Sequence, residues 1–379
     1  KSGISSSTIP NAGPFNADGL VLSATANTSH ITAYPTYASY CNYTNQSTTG
    51  GLSAPPSISA YSTSGSKTTI TSTAALTCSG TTSRTLTSNA IPDHISSTFF
   101  TNGLASYKSS PYNSGNPNEI GAKTVSKTFP YSGTISTSYT AGSAGYSTTA
   151  CYVKNASGDT GAYSSQACTK VGFAYYNNGV KVEPGTAETY VGTNTYNVEA
   201  KNYYQDVGLD PSNAHNQPTQ GSGSSTSFYG YYHYHGMPEG QISRLGKGNS
   251  TMTLVGFAAD GFPIYARYGY TNRTNTSGGV SIMKSNYRVR TAAELTAAGY
   301  TDRPSTAVAP YGSFLQDWVF DATSGGDLDA CNGRYGVTPE SPSAAVYHYM
   351  ITDTYPYIPR CSWASSTTLP TWANSQSEN

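Results

Sequence analysis

The string Tyr231-Tyr232-His233-Tyr234-His235-Gly236-Met237-Pro238 gathers the most chemically capable side chains in the sequence. Successive strand side chains point to opposite faces, so His233 and His235 share one face and Tyr232 and Tyr234 the other. Two imidazoles at i and i+2 can chelate one metal ion. Val346-Tyr347-His348-Tyr349-Met350 repeats the alternation and offers a further imidazole, with Tyr347 and Tyr349 on a packed face. Three neutral imidazoles suit zinc or copper and leave a position for water or substrate. Two similar strands laid side by side predict that His233 and His235 meet His348, with His215 or His94 nearby. Carbonyls or carboxylates such as Asp93 are expected to accept from the second ring nitrogens. A His between tyrosines can equally serve packing alone, donating to a backbone carbonyl.

Other chemistry is weakly signalled. There is no H-E-x-x-H, which excludes a helical zincin, and no G-x-S-x-G elbow, which disfavours an α/β-hydrolase. Glu239 is a candidate base for a metal-bound water, although a loop acid beside Pro238 reads more simply as solvated. Asp327-Leu-Asp329-Ala-Cys-Asn332-Gly333 has calcium-loop composition but misses the EF-hand spacing, so a polar turn is the simpler reading and calcium the lesser cofactor.

The elements that must position these groups read as strands. Val171–Tyr176, Asn177-Asn178-Gly179 and Val180-Lys181-Val182 form a hairpin pattern, because Asn and Gly tolerate the positive φ of a tight turn. Thr251–Ala258 and Phe262–Tyr268 flank Ala259-Asp260-Gly261 as a second hairpin. Thr291-Ala-Ala-Glu294 is a capping box for a short helix ending at Gly299, and residues 196–206 suggest another short helix. The Thr-rich alternation from Ser64 to Thr77 suits a thin β layer, with a flexible glycosylated stalk as the bland alternative. The expected fold is mainly β: an extended sheet or sandwich-like domain with long loops, few short helices and disulfide staples.

Composition bounds the function. Only 11% of the 379 residues are charged, twenty basic against twenty acidic, while 53 Ser and 51 Thr fill the gap. Without basic clusters a nucleic-acid binder is not expected, and no apolar run is long enough to span a membrane. The first residue is Lys1, which reads as a mature chain after signal removal or as a fragment. Cys41, Cys78, Cys151, Cys168, Cys331 and Cys361 lack C-x-x-C spacing and read as disulfides of a secreted protein, with nearest-neighbour pairing (Cys41–Cys78, Cys151–Cys168, Cys331–Cys361) the simplest of many. Sequons stand at Asn27, Asn42, Asn45, Asn155, Asn249, Asn272 and Asn275. With 25 Asn in so Ser/Thr-rich a chain, seven is the number chance supplies, so glycans are permitted and not specifically signalled.

The ordered motifs resemble the YHYH-domain proteins, named for the tetrapeptide present here as Tyr232-His233-Tyr234-His235. Asn89-Ala-Ile-Pro-Asp93-His94, Gly115-Asn-Pro-Asn118, Asn178-Gly-Val, Pro184-Gly-Thr-Ala-Glu188 and Asp210-Pro-Ser-Asn-Ala-His215 precede it in the family's order. Gly256-Phe-Ala-Ala-Asp260-Gly-Phe-Pro-Ile-Tyr265, Leu328-Asp-Ala-Cys-Asn-Gly-Arg334, Tyr347-His-Tyr and Tyr355-Pro-Tyr-Ile-Pro-Arg-Cys361 follow. A Gly/Ser-rich insert (Gln220 to Ser227) and an expanded stretch over 122–170 depart from the pattern. The resemblance divides the chain into an N-terminal β or assembly segment (1–84), a YHYH domain (85–365) and a C-terminal tail (366–379). It implies an extracellular or cell-surface location more than a reaction, and it places His94, His215, His233, His235 and His348 in one domain.

Two functions compete. One is a secreted structural or adhesive protein that self-associates into a filament or surface layer, with a histidine cluster that binds metal structurally. The other is a secreted metal-dependent hydrolase or oxidase using a three-His site.

Overall fold

The computed structural model of the chain describes residues 43–44, 54–79, 83–94, 100, 118–130, 173–184, 186, 190, 196–201, 207–218, 229–247, 250–321, 323–360 and 370–374. Its strands, in chain order, are β1 (Tyr43–Thr44), β2 (Ser57–Tyr61), β3 (Lys67–Thr71), β4 (Ala74–Ser79), β5 (Ser83–Ser88), β6 (Glu119–Ile120) and β7 (Val125–Pro130). They continue as β8 (Ala174–Tyr176), β9 (Lys181–Val182), β10 (Ala214–Pro218), β11 (Tyr229–Tyr234), β12 (Leu254–Ala258) and β13 (Pro263–Tyr265). The last are β14 (Tyr268–Tyr270), β15 (Val280–Ile282), β16 (Tyr287–Val289), β17 (Trp318–Phe320), β18 (Gly333–Thr338) and β19 (Ser341–Met350). Two short α-helices occur among the described residues, α1 (Glu239–Arg244) and α2 (Ala292–Ala297). No described helix is long and apolar enough to cross a membrane.

The mainly-β expectation holds, and local chemistry explains most elements. In the four-stranded sheet β1-β4-β5-β7, Leu76, Leu86, Val125 and Phe129 are buried while the alternating Thr77, Thr87, Ser126 and Thr128 face solvent. α2 starts on the expected capping box: Thr291 Oγ1 accepts from Glu294 N, and the Glu294 carboxylate accepts from Thr291 N. Gly299, at φ +84°, closes it. The helix expected from residue 196 is absent over its described part. Val198 instead bridges Phe314 antiparallel, because Tyr196 and Val198 are both buried beside that ring and alternation suits an extended chain. Residues 202–206 lie outside the described residues. Neither Cys78 nor Cys331 is a free thiol. The other four cysteines lie outside the described residues, and the neighbour pairing with them.

A nine-stranded sheet runs β10-β11-β9-β8-β12-β13-β19-β18, with β6 paired to β11. Its path is an internal repeat. The half β8-β9-β10-β11 is matched by β12-β13-β18-β19, and the halves meet where β8 pairs β12 antiparallel. The register there is Gly256↔Tyr176, Phe257↔Tyr175 and Ala258↔Ala174, so a two-fold axis through the Tyr175–Phe257 pair exchanges the halves. Hydrogen bonds obey the same exchange: Asn177 N donates to Val255 O (2.7 Å) and Ala259 N to Phe173 O (2.8 Å). The two predicted hairpin turns are equivalent, with Gly179 at φ +79° and Gly261 at φ +91°.

The outer strands carry the repeat further. Asp210 and Asp329 each open a turn in which the Asn three residues on, Asn213 or Asn332, has positive φ (61° and 56°). Asp210 Oδ2 accepts from the Tyr232 hydroxyl (2.6 Å) and Asp329 Oδ2 from the Tyr347 hydroxyl (2.8 Å). Asn178 donates to the Tyr234 hydroxyl (2.9 Å), while the equivalent Asp260 accepts from Tyr349 (2.5 Å). All four tyrosines are buried, as the alternation predicted. The four-stranded sheet packs across the axis, with the Arg84 guanidinium 4.1 Å from the Phe257 ring centre and Phe129 edge-on to Tyr175.

Candidate metal centre

Three of the five candidate histidines converge. β10 and β11 pair antiparallel with His215 directly opposite His233, and strand alternation returns His235 to the same face. Ring centres are 4.6 Å apart for His215–His233, 4.9 Å for His215–His235 and 5.0 Å for His233–His235. One ligand nitrogen from each lies within 4.8 Å of the others, and all three residues are buried. Tetrahedral ligation at about 2.0–2.1 Å separates donor nitrogens by roughly 3.3 Å, so only small side-chain adjustments are needed.

Two of the three second ring nitrogens are anchored as a metal ligand set requires, while His235 Nδ1 has no hydrogen-bond partner. His215 Nδ1 donates to the Val207 carbonyl, and His233 Nδ1 donates to the Tyr231 carbonyl at 3.0 Å. A carbonyl can only accept, so the neutral rings present their Nε2 lone pairs to the cluster. His235 Nε2 lies 3.1 Å from His215 Nε2. Burial, aided by neighbouring His233, pushes His215 down to about 3. Burial and the two neighbouring imidazoles hold His235 well below its ordinary value. Both rings are therefore neutral at physiological pH, the state in which imidazole binds a cation.

Glu183 joins this face, a residue that sequence reasoning passed over. β9 pairs β11 in parallel with Lys181 opposite His233, and Glu183 N donates to Tyr234 O (2.9 Å), which sets its carboxylate beside the cluster. Glu183 Oε2 lies 3.7 Å from His233 Nε2, and Oε1 is 2.6 Å from Lys181 Nζ. Burial works to raise this carboxyl, but His233, Lys181 and His235 hold it well below the usual carboxylate range. Nothing local marks Glu183, since only the non-local β9–β11 register brings it there.

His348 and His94 do not join the group. β19 stands five strands along from β11, roughly 24 Å at about 4.8 Å per strand. The two Tyr-His-Tyr strands are equivalent under the two-fold but lie away from the axis, and each pairs within its own half, β11 with β10 and β9, β19 with β18 and β13. His94 lies behind β11, where its Nε2 meets the Tyr234 hydroxyl at 2.8 Å. Asp93 does not orient the cluster; it takes Arg244 (2.7 Å) and Asn178 (2.9 Å). Glu239 is clamped by Arg267. Asp329 Oδ1 accepts from Cys331 N and Gly333 N, both at 2.9 Å, so the Asp327–Gly333 loop is a polar turn whose carboxylate is satisfied by protein donors. Asn272 and Asn275 each accept from the backbone two residues on, in the exposed β14–β15 loop. The other five sequons lie outside the described residues.

No curated protein and no solved structure matches the sequence. A family model described as YHYH protein matches residues 153–363, just over half of the chain and both halves of the repeated sheet. The chain belongs to the YHYH protein family.

Proposed function

We propose that the chain is a secreted, self-associating scaffold protein whose outer hairpin β10–β11 is locked by one divalent metal ion, zinc or copper, on His215, His233 and His235. The observation that carries the metal is the convergence of three buried imidazole nitrogens within 4.8 Å, two of them with tautomers set by carbonyls. Burial of the three residues, at 4–5% exposure, favours a closed structural centre. The low charge, the abundance of Ser and Thr, and the even number of cysteines support the secreted scaffold. One observation favours a metal-dependent hydrolase instead: the Glu183 carboxylate stands where a general base for metal-bound water would be needed.

The test is calorimetric titration of metal-stripped protein with zinc and with copper(II). The reading expects one ion per chain and a loss of at least about tenfold in affinity for His215→Asn and His235→Asn. His348→Asn should bind as the parent does. Equal binding by all three variants would overturn it.

A further inference from the structure

The two-fold that relates the halves of the sheet places a second constellation opposite the first. His233 corresponds to His348, His215 to Arg334, His235 to Met350 and Glu183 to Tyr265. The frame is retained: Arg334 faces His348 across β18–β19 as His215 faces His233 across β10–β11. The His348 Nδ1 donates to Val346 O at 3.0 Å, the counterpart of His233 donating to Tyr231 O. The ligand set has changed, with a guanidinium and a thioether in place of two imidazoles, and such a set does not attract a cation.

We propose that this second constellation binds a small protonated oxyanion, of the hydrogencarbonate or dihydrogen phosphate type, between Arg334 and His348. Both residues are at least nine-tenths buried, at 4% and 0% exposure. Arg334 Nη2 donates to Tyr270 O (2.6 Å), but its Nε has no hydrogen-bond partner, and neither has His348 Nε2. The buried Arg244, Arg303 and Arg360 each hold a carboxylate at 2.7, 2.5 and 2.7 Å. Among the described residues no carboxylate comes within ion-pair distance of Arg334. Asp327 acts on it only from further off, while Arg273 opposes its charge. Met283 lies with the guanidinium against Gly269, and the Tyr265 ring packs edge-on to His348 with its hydroxyl donating to Glu340; such burial raises the cost of an uncompensated charge. Gly269 closes against the guanidinium: a Cβ there would fall 2.9 Å from Nη2.

The unmet groups specify the ligand. Arg334 Nε–H needs an acceptor and its charge needs an anion. With His348 Nδ1–H already donating, His348 Nε2 carries a lone pair and needs a donor. Chloride has no O–H, and sulfate carries no proton at neutral pH. Hydrogencarbonate and dihydrogen phosphate each offer a negative oxygen beside a hydroxyl. A lone water meets the geometry but leaves the charge unbalanced.

The experiment is thermal unfolding of the full chain at pH 7.5 and constant ionic strength, titrated separately with bicarbonate, phosphate, sulfate and chloride. The proposal expects a saturable rise of about 4 °C with bicarbonate or phosphate and none with sulfate or chloride. The two active arms identify which oxyanion the site takes. The rise should vanish in Arg334→Met and in His348→Asn, with Arg334→Lys standing in should Arg334→Met not fold. It should persist in His215→Asn, so it stands or falls apart from the metal centre. No rise in the parent protein, meaning a buried water alone, would overturn it. So would an equal rise in the Arg334 variants or an equal response to sulfate.

Discussion

Burial decides how the described His215, His235 and His348 hold a proton. His348 sits fully buried with Arg334 opposite, and burial, then that guanidinium, push it down to about 3. Its ordinary value is about 6.5, so between pH 6.5 and 3 the unfolded chain binds a proton that the folded chain refuses. Stability is thus fully present above pH 6.5 and falls as the pH drops towards 3, by up to about 1.4 kcal/mol per pH unit for such a group. Metal-free His215, also near 3, acts with the same sign. Urea unfolding of metal-free protein between pH 7.5 and 4 should show this loss, and His348→Asn should flatten the slope by about one proton. An unchanged slope would contradict the assignment. The pairing of His233 with His235 was legible in the sequence, because a period of two needs no tertiary information. The third ligand was not legible: choosing His215 over His348 depends on which strand lies beside β11, a non-local fact.

At the scale of elements, turn chemistry was the best guide. Asn177-Asn178-Gly179 and Ala259-Asp260-Gly261 mark two equivalent hairpins of the sheet, and both glycines have positive φ for a visible reason. Each also touches the four-stranded layer: a Cβ on Gly179 would lie 2.1 Å from Ser88 Cβ, and one on Gly261 2.4 Å from the Pro130 carbonyl oxygen. Gly299 has similar φ, +84°, but nothing within 4 Å of its would-be Cβ. Gly299→Ala should therefore cost about 1 kcal/mol from backbone strain alone, and Gly179→Ala and Gly261→Ala about 3 kcal/mol or more, as read by urea denaturation. Equal costs at the three positions would show that the two layers are not in close contact. The internal repeat left traces in the Tyr-His-Tyr strings and in Asp210-x-x-Asn213 and Asp329-x-x-Asn332. Unequal insertions between them hid the period, since α2 and four further strands (β14 to β17) separate β13 from β18.

For the whole molecule, the described N-terminal strands share the main core: Ile58, Leu76 and Leu86 belong to the same buried cluster as Tyr232 and Tyr349. The nine-stranded sheet and its overlying layer thus form one packed body around a pseudo-two-fold axis, with one polar constellation in each half. The self-association reading draws on the composition. Deleting residues 1–40, which precede the first described strand, is expected to reduce the assembled fraction by at least about tenfold, a loss of about 1.4 kcal/mol per contact, read by sedimentation and electron microscopy. Unchanged assemblies would remove that segment from the interface, and a strictly monomeric parent protein would remove the scaffold reading itself.

The central claim is the metal centre in the first half of the sheet. Its most direct test is diffraction from crystals of protein purified without chelator, with data collected on both sides of the zinc and copper absorption edges. The account predicts one anomalous peak per chain, about 2.0–2.1 Å from a ring nitrogen of each of His215, His233 and His235, and none beside His348. No peak among these three histidines after zinc or copper loading, or a peak at His348, would contradict it.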